Sequence, residues 1–217
     1  MPVHRTPWVL IISAVVVLVV VMAGCGTAMA IIGSRSGNQI GGSGIVPSPS
    51  PGGSPSPIAS PTGSQSATSA SNTGETVPVP AGWAVANKDT ESITLVNPDG
   101  TGSVTIGSGP SSPAASAQEN KDSLDKYLQG KYPDVKSCPN SKASTGSLNG
   151  VAGIFWTLCF TLTSGAQSFP AAATLFVGAN GDGSVYYLVI LLTPAQNLTA
   201  FVNETRPILQ GIQWKLK

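Results

Sequence analysis

Histidine occurs once in this chain, as His4, and cysteine three times, as Cys25, Cys138 and Cys159. Ser-His-Asp and Cys-His catalysis both need an imidazole beside the nucleophile, and most zinc sites draw on one as well. His4 lies ahead of a long apolar run, so all of these chemistries are excluded for the part of the chain beyond that run. Cys138 and Cys159 stand alone there. In an exterior compartment two such thiols oxidise, so the pair is expected to be a disulfide rather than a catalytic thiol with a bystander. Closing a loop of about 20 residues contributes roughly 3 kcal/mol in the chain-entropy picture. Cys25 follows Met22-Ala23-Gly24, small residues of the kind that precede a bacterial lipidation cysteine, which makes it a candidate for lipid attachment.

The carboxylates offer less. Asp99 and Asp182 lie in Gly-rich turns that resemble calcium loops only superficially. Calcium takes six to eight oxygens and usually several carboxylates, whereas each of these turns has one, so turn chemistry is the better account. Glu119, Asp122 and Asp125 interleave with Lys121 and Lys126, the pattern of a solvated helix face. No spacing selects a carboxylate pair for glycoside hydrolysis, and no Gly-rich phosphate loop is present. An Asp- or Glu-dependent hydrolase, with Glu119 and Asp182 as its candidates, is the weakest of the functional readings. No catalytic, cofactor-binding or metal-ligating residue is assigned, and no cofactor is expected. Trp83, Trp156 and Trp214 fall in strand-like segments, where large aromatics pack in a core more often than they form a binding patch.

Three unlike segments carry these residues. The net charge of +1 and a charged fraction of only 10% rule out a basic nucleic-acid binder and an acidic tail protein. Residues 1–35 read as a membrane anchor, with an uncharged stretch from Trp8 to Ile32 long enough to cross a bilayer. Arg5 before it and Arg35 after it leave the orientation almost balanced, slightly favouring an inside N-terminus. A plain transmembrane helix and a lipoprotein signal ending at Cys25 both fit. Residues 36–76 read as a Pro/Ser/Gly-rich disordered linker with Glu75 as its sole charge, spanning up to about 120 Å if extended. Residues 77–217 read as one extracytoplasmic folded domain.

Within that domain, short strands are expected at Trp83–Asn87, Ser92–Val96 and Gly102–Ile106, the last two joined by the turn Asn97-Pro98-Asp99-Gly100. A helix follows, with Ser112 as its cap, Pro113 in its first turn and Gly130 as its stop; Ala117, Leu124, Tyr127 and Leu128 share its apolar face. Strands are expected at Ser144–Leu148, Gly153–Leu162, Ala172–Val177 and Val185–Leu192. The last is apolar on both faces and belongs at the centre of a covered sheet. Thr193-Pro194-Ala195-Gln196 reads as the capping box of a closing helix that Pro207 interrupts, and Ile212, Trp214 and Leu216 alternate as a final strand. The order implies an antiparallel α+β fold.

Pro80-Ala81-Gly82-Trp83, the hairpin around Asn97–Gly100, the mid-chain helix and the closing Phe201–Leu209 helix before a strand resemble the PsbP-like domain family. The resemblance covers roughly residues 77–217 and implies an antiparallel sheet packed between helices. That family includes photosystem extrinsic proteins and mycobacterial LpqN-type lipoproteins, so the resemblance implies a scaffold for binding or assembly rather than an enzyme. The expected function is a membrane-anchored, non-catalytic binding domain facing a surface or envelope protein, with no nucleic acid. The alternative is a carrier or sensor holding a small apolar ligand between sheet and helix.

Overall fold

The computed structural model describes residues 68–164 and 167–217. The expected membrane anchor, Cys25 and most of the expected linker lie outside the described residues. Among those described, no helix is long and apolar enough to cross a membrane.

The described residues form eleven strands and three α-helices: β1 Thr68–Ser71, β2 Glu75–Val79, β3 Ala84–Lys88, β4 Ser92–Val96, β5 Ser103–Pro110, α1 Ala117–Lys131, β6 Lys136–Ser137, β7 Ser144–Leu148, β8 Val151–Ser164, β9 Gln167–Ala179, β10 Val185–Pro194, α2 Leu198–Glu204, α3 Arg206–Gln210 and β11 Gln213–Trp214. The larger sheet runs β3-β4-β5-β10-β9-β8-β6, with β7 also paired to β8, and every pairing is antiparallel. β10, the strand apolar on both faces, sits between β5 and β9, as its composition requires. A second sheet, β1-β2-β11, joins the two ends of the described chain.

Alternation along the strands divides the interior in two. Trp156, Leu158, Phe160, Leu175, Leu188 and Ile190 pack beneath Leu124 and Leu128 of α1. Val77, Ile93, Ile106, Phe176, Val189 and Leu191 pack beneath Phe201, Ile208 and Ile212. One layer is therefore a single helix, and the other is the short α2–α3 pair with the small sheet beside it. Asp125 fastens the first layer, accepting from Trp156 Nε1 at 2.9 Å and pairing with Lys121 Nζ at 2.6 Å.

Several expectations are corrected. The folded part begins by Thr68 rather than at residue 77: Ser71 pairs with Thr76 across a tight turn, and Thr76 pairs onward with Gln213. The helix cap is Ser116, not Ser112, because Ser116 and Glu119 complete the reciprocal capping box that Ser112 lacks; Gly130 lies inside the last turn and the helix runs to Lys131. Thr193 and Pro194 do not cap the closing helix. They extend β10, paired with Ala172 and Ala171, and no side chain caps the 3-10 turn Ala195–Asn197 that follows. Pro207 divides the closing helix as expected, here at Thr205.

Candidate functional site

Two turns are built to one plan. In Asn97–Gly102 and Asn180–Val185 the leading asparagine Oδ1 accepts the backbone N–H five residues on, at 2.9 Å in both. The aspartate two positions after it accepts both the N–H and the hydroxyl of Thr101 or Ser184. Gly100 and Gly183 take positive φ, which a side chain there would resist. Asp99 and Asp182 are thus turn builders, and these bonds hold both below the usual carboxylate range. A third turn, Asn149-Gly150, closes the β7–β8 hairpin with φ of 49° and 86°. Asn149 Nδ2 donates to Leu209 O at 2.6 Å and Ile212 O at 3.0 Å, tying this tip to the end of α3.

At one end of the sheet the tips of β7–β8 and β9–β10 border two open grooves. One, of about 720 Å³, lies among Val151, Tyr187, Ile212, Trp214 and Leu216. Its aromatic wall is braced by contacts: Tyr187 and Trp214 meet edge to face at 5.2 Å, Tyr187 OH donates to Leu216 O and Trp214 Nε1 to Leu148 O. The other, of about 710 Å³, lies between the start of α1 and Thr145, Ile154 and Asp182. Ala152, Ala179, Asn180 and Gly181 line both, so only a ridge of small residues separates them. Of the sequence-selected groups, Asp182, Glu119 and Trp214 reach these grooves, while Trp83 and Trp156 are core residues. Glu119 is spent on Ser116, whose N–H and hydroxyl hold it below the usual range.

Cys138 and Cys159 form the expected disulfide, with Cα atoms 4.9 Å apart. It fixes the loop after α1 to β8, beside the two-residue β6. It stands apart from both grooves.

Sequence reasoning passed over Glu75, which it left in the linker. The side chain is fully buried. Asn72 Nδ2 donates to one oxygen at 2.7 Å and Ser108 Oγ to the other at 3.1 Å. Burial pushes the carboxyl up to about 7 against these bonds, and the charge of Asp89 adds to the rise. Beside it Tyr186 OH donates to Glu91 at 3.1 Å, and burial and the Glu91 carboxylate raise that phenol. Gly74 permits the approach, since a Cβ there would stand 2.4 Å from Ser108 O. Lys215, just after β11, closes the joint, its N–H on Gly74 O and its ammonium on Ser71 Oγ and Asn72 O. A group so enclosed touches no solute; it holds the β1–β2 hairpin against β5. The sequence signal was a lone charge in an otherwise uncharged stretch.

An antiparallel sheet covered on one face by α1 and on the other by the α2–α3 pair and the small sheet defines the class, and solved structures of related shape exist. Cyanobacterial PsbP from Synechocystis sp. PCC 6803 matches with 12% identity and a TM-score of 0.47, covering 73% of this chain and 99% of its own. LpqN of Mycobacterium tuberculosis, described as involved in cell envelope biogenesis, matches with 13% identity and a TM-score of 0.38, covering 70% and 87%. A Bacteroides thetaiotaomicron VPI-5482 protein matches with 12% identity and a TM-score of 0.42, covering 66% of this chain, which spans 46% of that protein. PsbP and LpqN are the kinds of protein that the sequence resembles. At these identities and TM-scores they say nothing of what this chain binds. No protein-family model matches the chain, and no curated protein matches it.

Proposed function

We propose that this chain is a membrane-anchored, extracytoplasmic binding or assembly domain without catalysis, and that it engages its envelope partner at the groove-bearing end of the sheet. The observation that carries the reading is the pair of grooves of about 720 and 710 Å³ back to back across Ala152, Ala179, Asn180 and Gly181. They present shape, aromatic surface and backbone polar groups, the features of a recognition surface. The carboxylates at their margin, Asp182 and Glu119, are tied into a turn and a helix cap. The disulfide fits an oxidising exterior. A photoreactive residue at Gly181 in the full chain, activated in intact cells, is expected to give a discrete adduct with a larger envelope protein, while one at the exposed Val85 gives none. Equal labelling from both positions, or none from either, refutes the reading.

The Tyr187–Trp214 wall favours one second reading, a carrier of a small apolar ligand in the same groove. In that case native mass spectrometry of the purified chain shows a bound small molecule, and alanine at Trp214 removes it.

A further inference from the structure

The larger sheet ends in strands that differ in how they are guarded. β3 carries a bulge between Val85 and Asn87 and ends in Lys88, both devices that discourage a further strand. β6 is two residues long, contains Lys136 and abuts the disulfide. β7, Ser144-Thr145-Gly146-Ser147-Leu148, has no charge, no proline and no break in its register with β8, and its first four residues are exposed.

The register decides what this edge offers. Leu148 and Val151 flank the two-residue turn and so form a hydrogen-bonded pair. Alternation then turns the N–H and C=O of Ser144, Gly146 and Leu148 toward β8 and leaves those of Thr145 and Ser147 pointing outward. Gly146 lies midway between those two residues. A second β7 laid antiparallel, with a two-fold axis at Gly146, puts Thr145 opposite Ser147 of the second copy and Ser147 opposite its Thr145. Each pair exchanges two backbone hydrogen bonds and sets two hydroxyls side by side. The two glycines meet at the close, non-hydrogen-bonded position, where Cα atoms approach to about 4.5 Å and a side chain would be most crowded. No charge opposes the contact. The strand is complementary to itself.

We propose that two copies of this chain pair through β7, joining their larger sheets into one continuous sheet across a two-fold axis at Gly146. Thr145 and Gly146 border the second groove but not the aromatic one, so the pairing does not depend on what the aromatic groove binds. Holding both copies on one membrane, as proposed above, raises their effective concentration and suits so short a contact.

The test is site-directed cross-linking of the full chain in liposomes with a short bifunctional thiol reagent. Gly146→Cys is expected to cross-link severalfold more than the wild type, which shares its Cys25, and than Val85→Cys on the opposite edge. Adding Thr145→Pro should abolish the product, because it removes an outward N–H and leaves the β8 ladder intact. A cysteine at 146 places its Cβ 3.1 Å from the Phe155 ring, so a second pair of variants avoids that crowding. Thr145→Cys chains mixed with Ser147→Cys chains should cross-link more than either alone, a signature of this register. Cross-linking no greater than at Val85, or a mixture no better than its components, overturns the proposal, as does capture of only a different protein at these positions.

Discussion

Glu75 shows how one side chain makes a fold respond to pH. Its carboxyl takes an ordinary value near 4.5 in an unfolded chain and about 7 here, raised chiefly by burial. Between those values the folded chain keeps a proton that the unfolded chain releases, so the contribution is fully present below about 4.5 and lost as pH rises through about 7. The difference is on the order of 3 kcal/mol. Thermal unfolding of the full chain in detergent should therefore give a lower Tm at about pH 8 than at about pH 5. Glu75→Gln, which keeps the shape and removes the charge, should flatten that slope and raise the Tm at the higher pH. An unchanged slope in the variant would place the dependence elsewhere. The same residue marks a limit of sequence reading: the lone charge and nearby Asn72 are visible locally, but the burial comes from Ser108 and Trp214, far along the chain.

At the scale of elements, legibility followed the range of the interactions. The hairpin at Asn97–Gly100, β10 at the sheet centre and the apolar face of α1 rest on contacts within a turn or a period, and the sequence displays them. Ser116 and Glu119 also stood in plain view as a capping pair, and were passed over for Ser112-Pro113. Asn149-Gly150 was an equally open hairpin signal. β1 and β2 were not legible. Residues 68–76 have the Ser/Thr/Gly composition of a spacer; β1 is a strand through its local hairpin with β2, and β2 is fixed in turn by β11, more than a hundred residues away. The disulfide was legible because so few thiols were available to pair. Replacing both Cys138 and Cys159 with serine should lower stability by about 3 kcal/mol and free the loop around β6. Denaturant unfolding measures the first effect and hydrogen exchange at residues 136–141 the second; a loss confined to the groove end would contradict the placement of the bridge.

For the whole molecule, the sequence analysis expects a membrane anchor in residues 1–35, and both forms of anchor predict the same fractionation. Membranes from cells making the full chain should retain it through high-salt and alkaline washes and release it only to detergent. Recovery in the wash would refute anchoring. The mass of the retained chain then separates the forms, since lipidation moves the N-terminus to Cys25 and adds acyl chains, whereas a spanning helix leaves the start of the chain in place. The candidate site was less legible than the fold. Tyr187, Trp214 and Leu216 are read from sequence as core or edge positions, and the groove exists because separate strands end at unequal lengths around small residues.

The small β1-β2-β11 sheet has a mechanical consequence. Thr68, the first of the described residues, pairs with Val79 at the end of the ladder far from the Ser71–Thr76 turn. A pull from the membrane side loads that ladder at its open end, so its hydrogen bonds meet the force one after another rather than together. β1 would peel away first, paying out the seven residues 68–74 and about 24 Å of extra reach before β2 and the Glu75 joint bear tension. On the proposed anchoring, the hairpin would then act as a slack reserve that yields at lower force than the disulfide-braced larger sheet, through which the same tension passes to the partner.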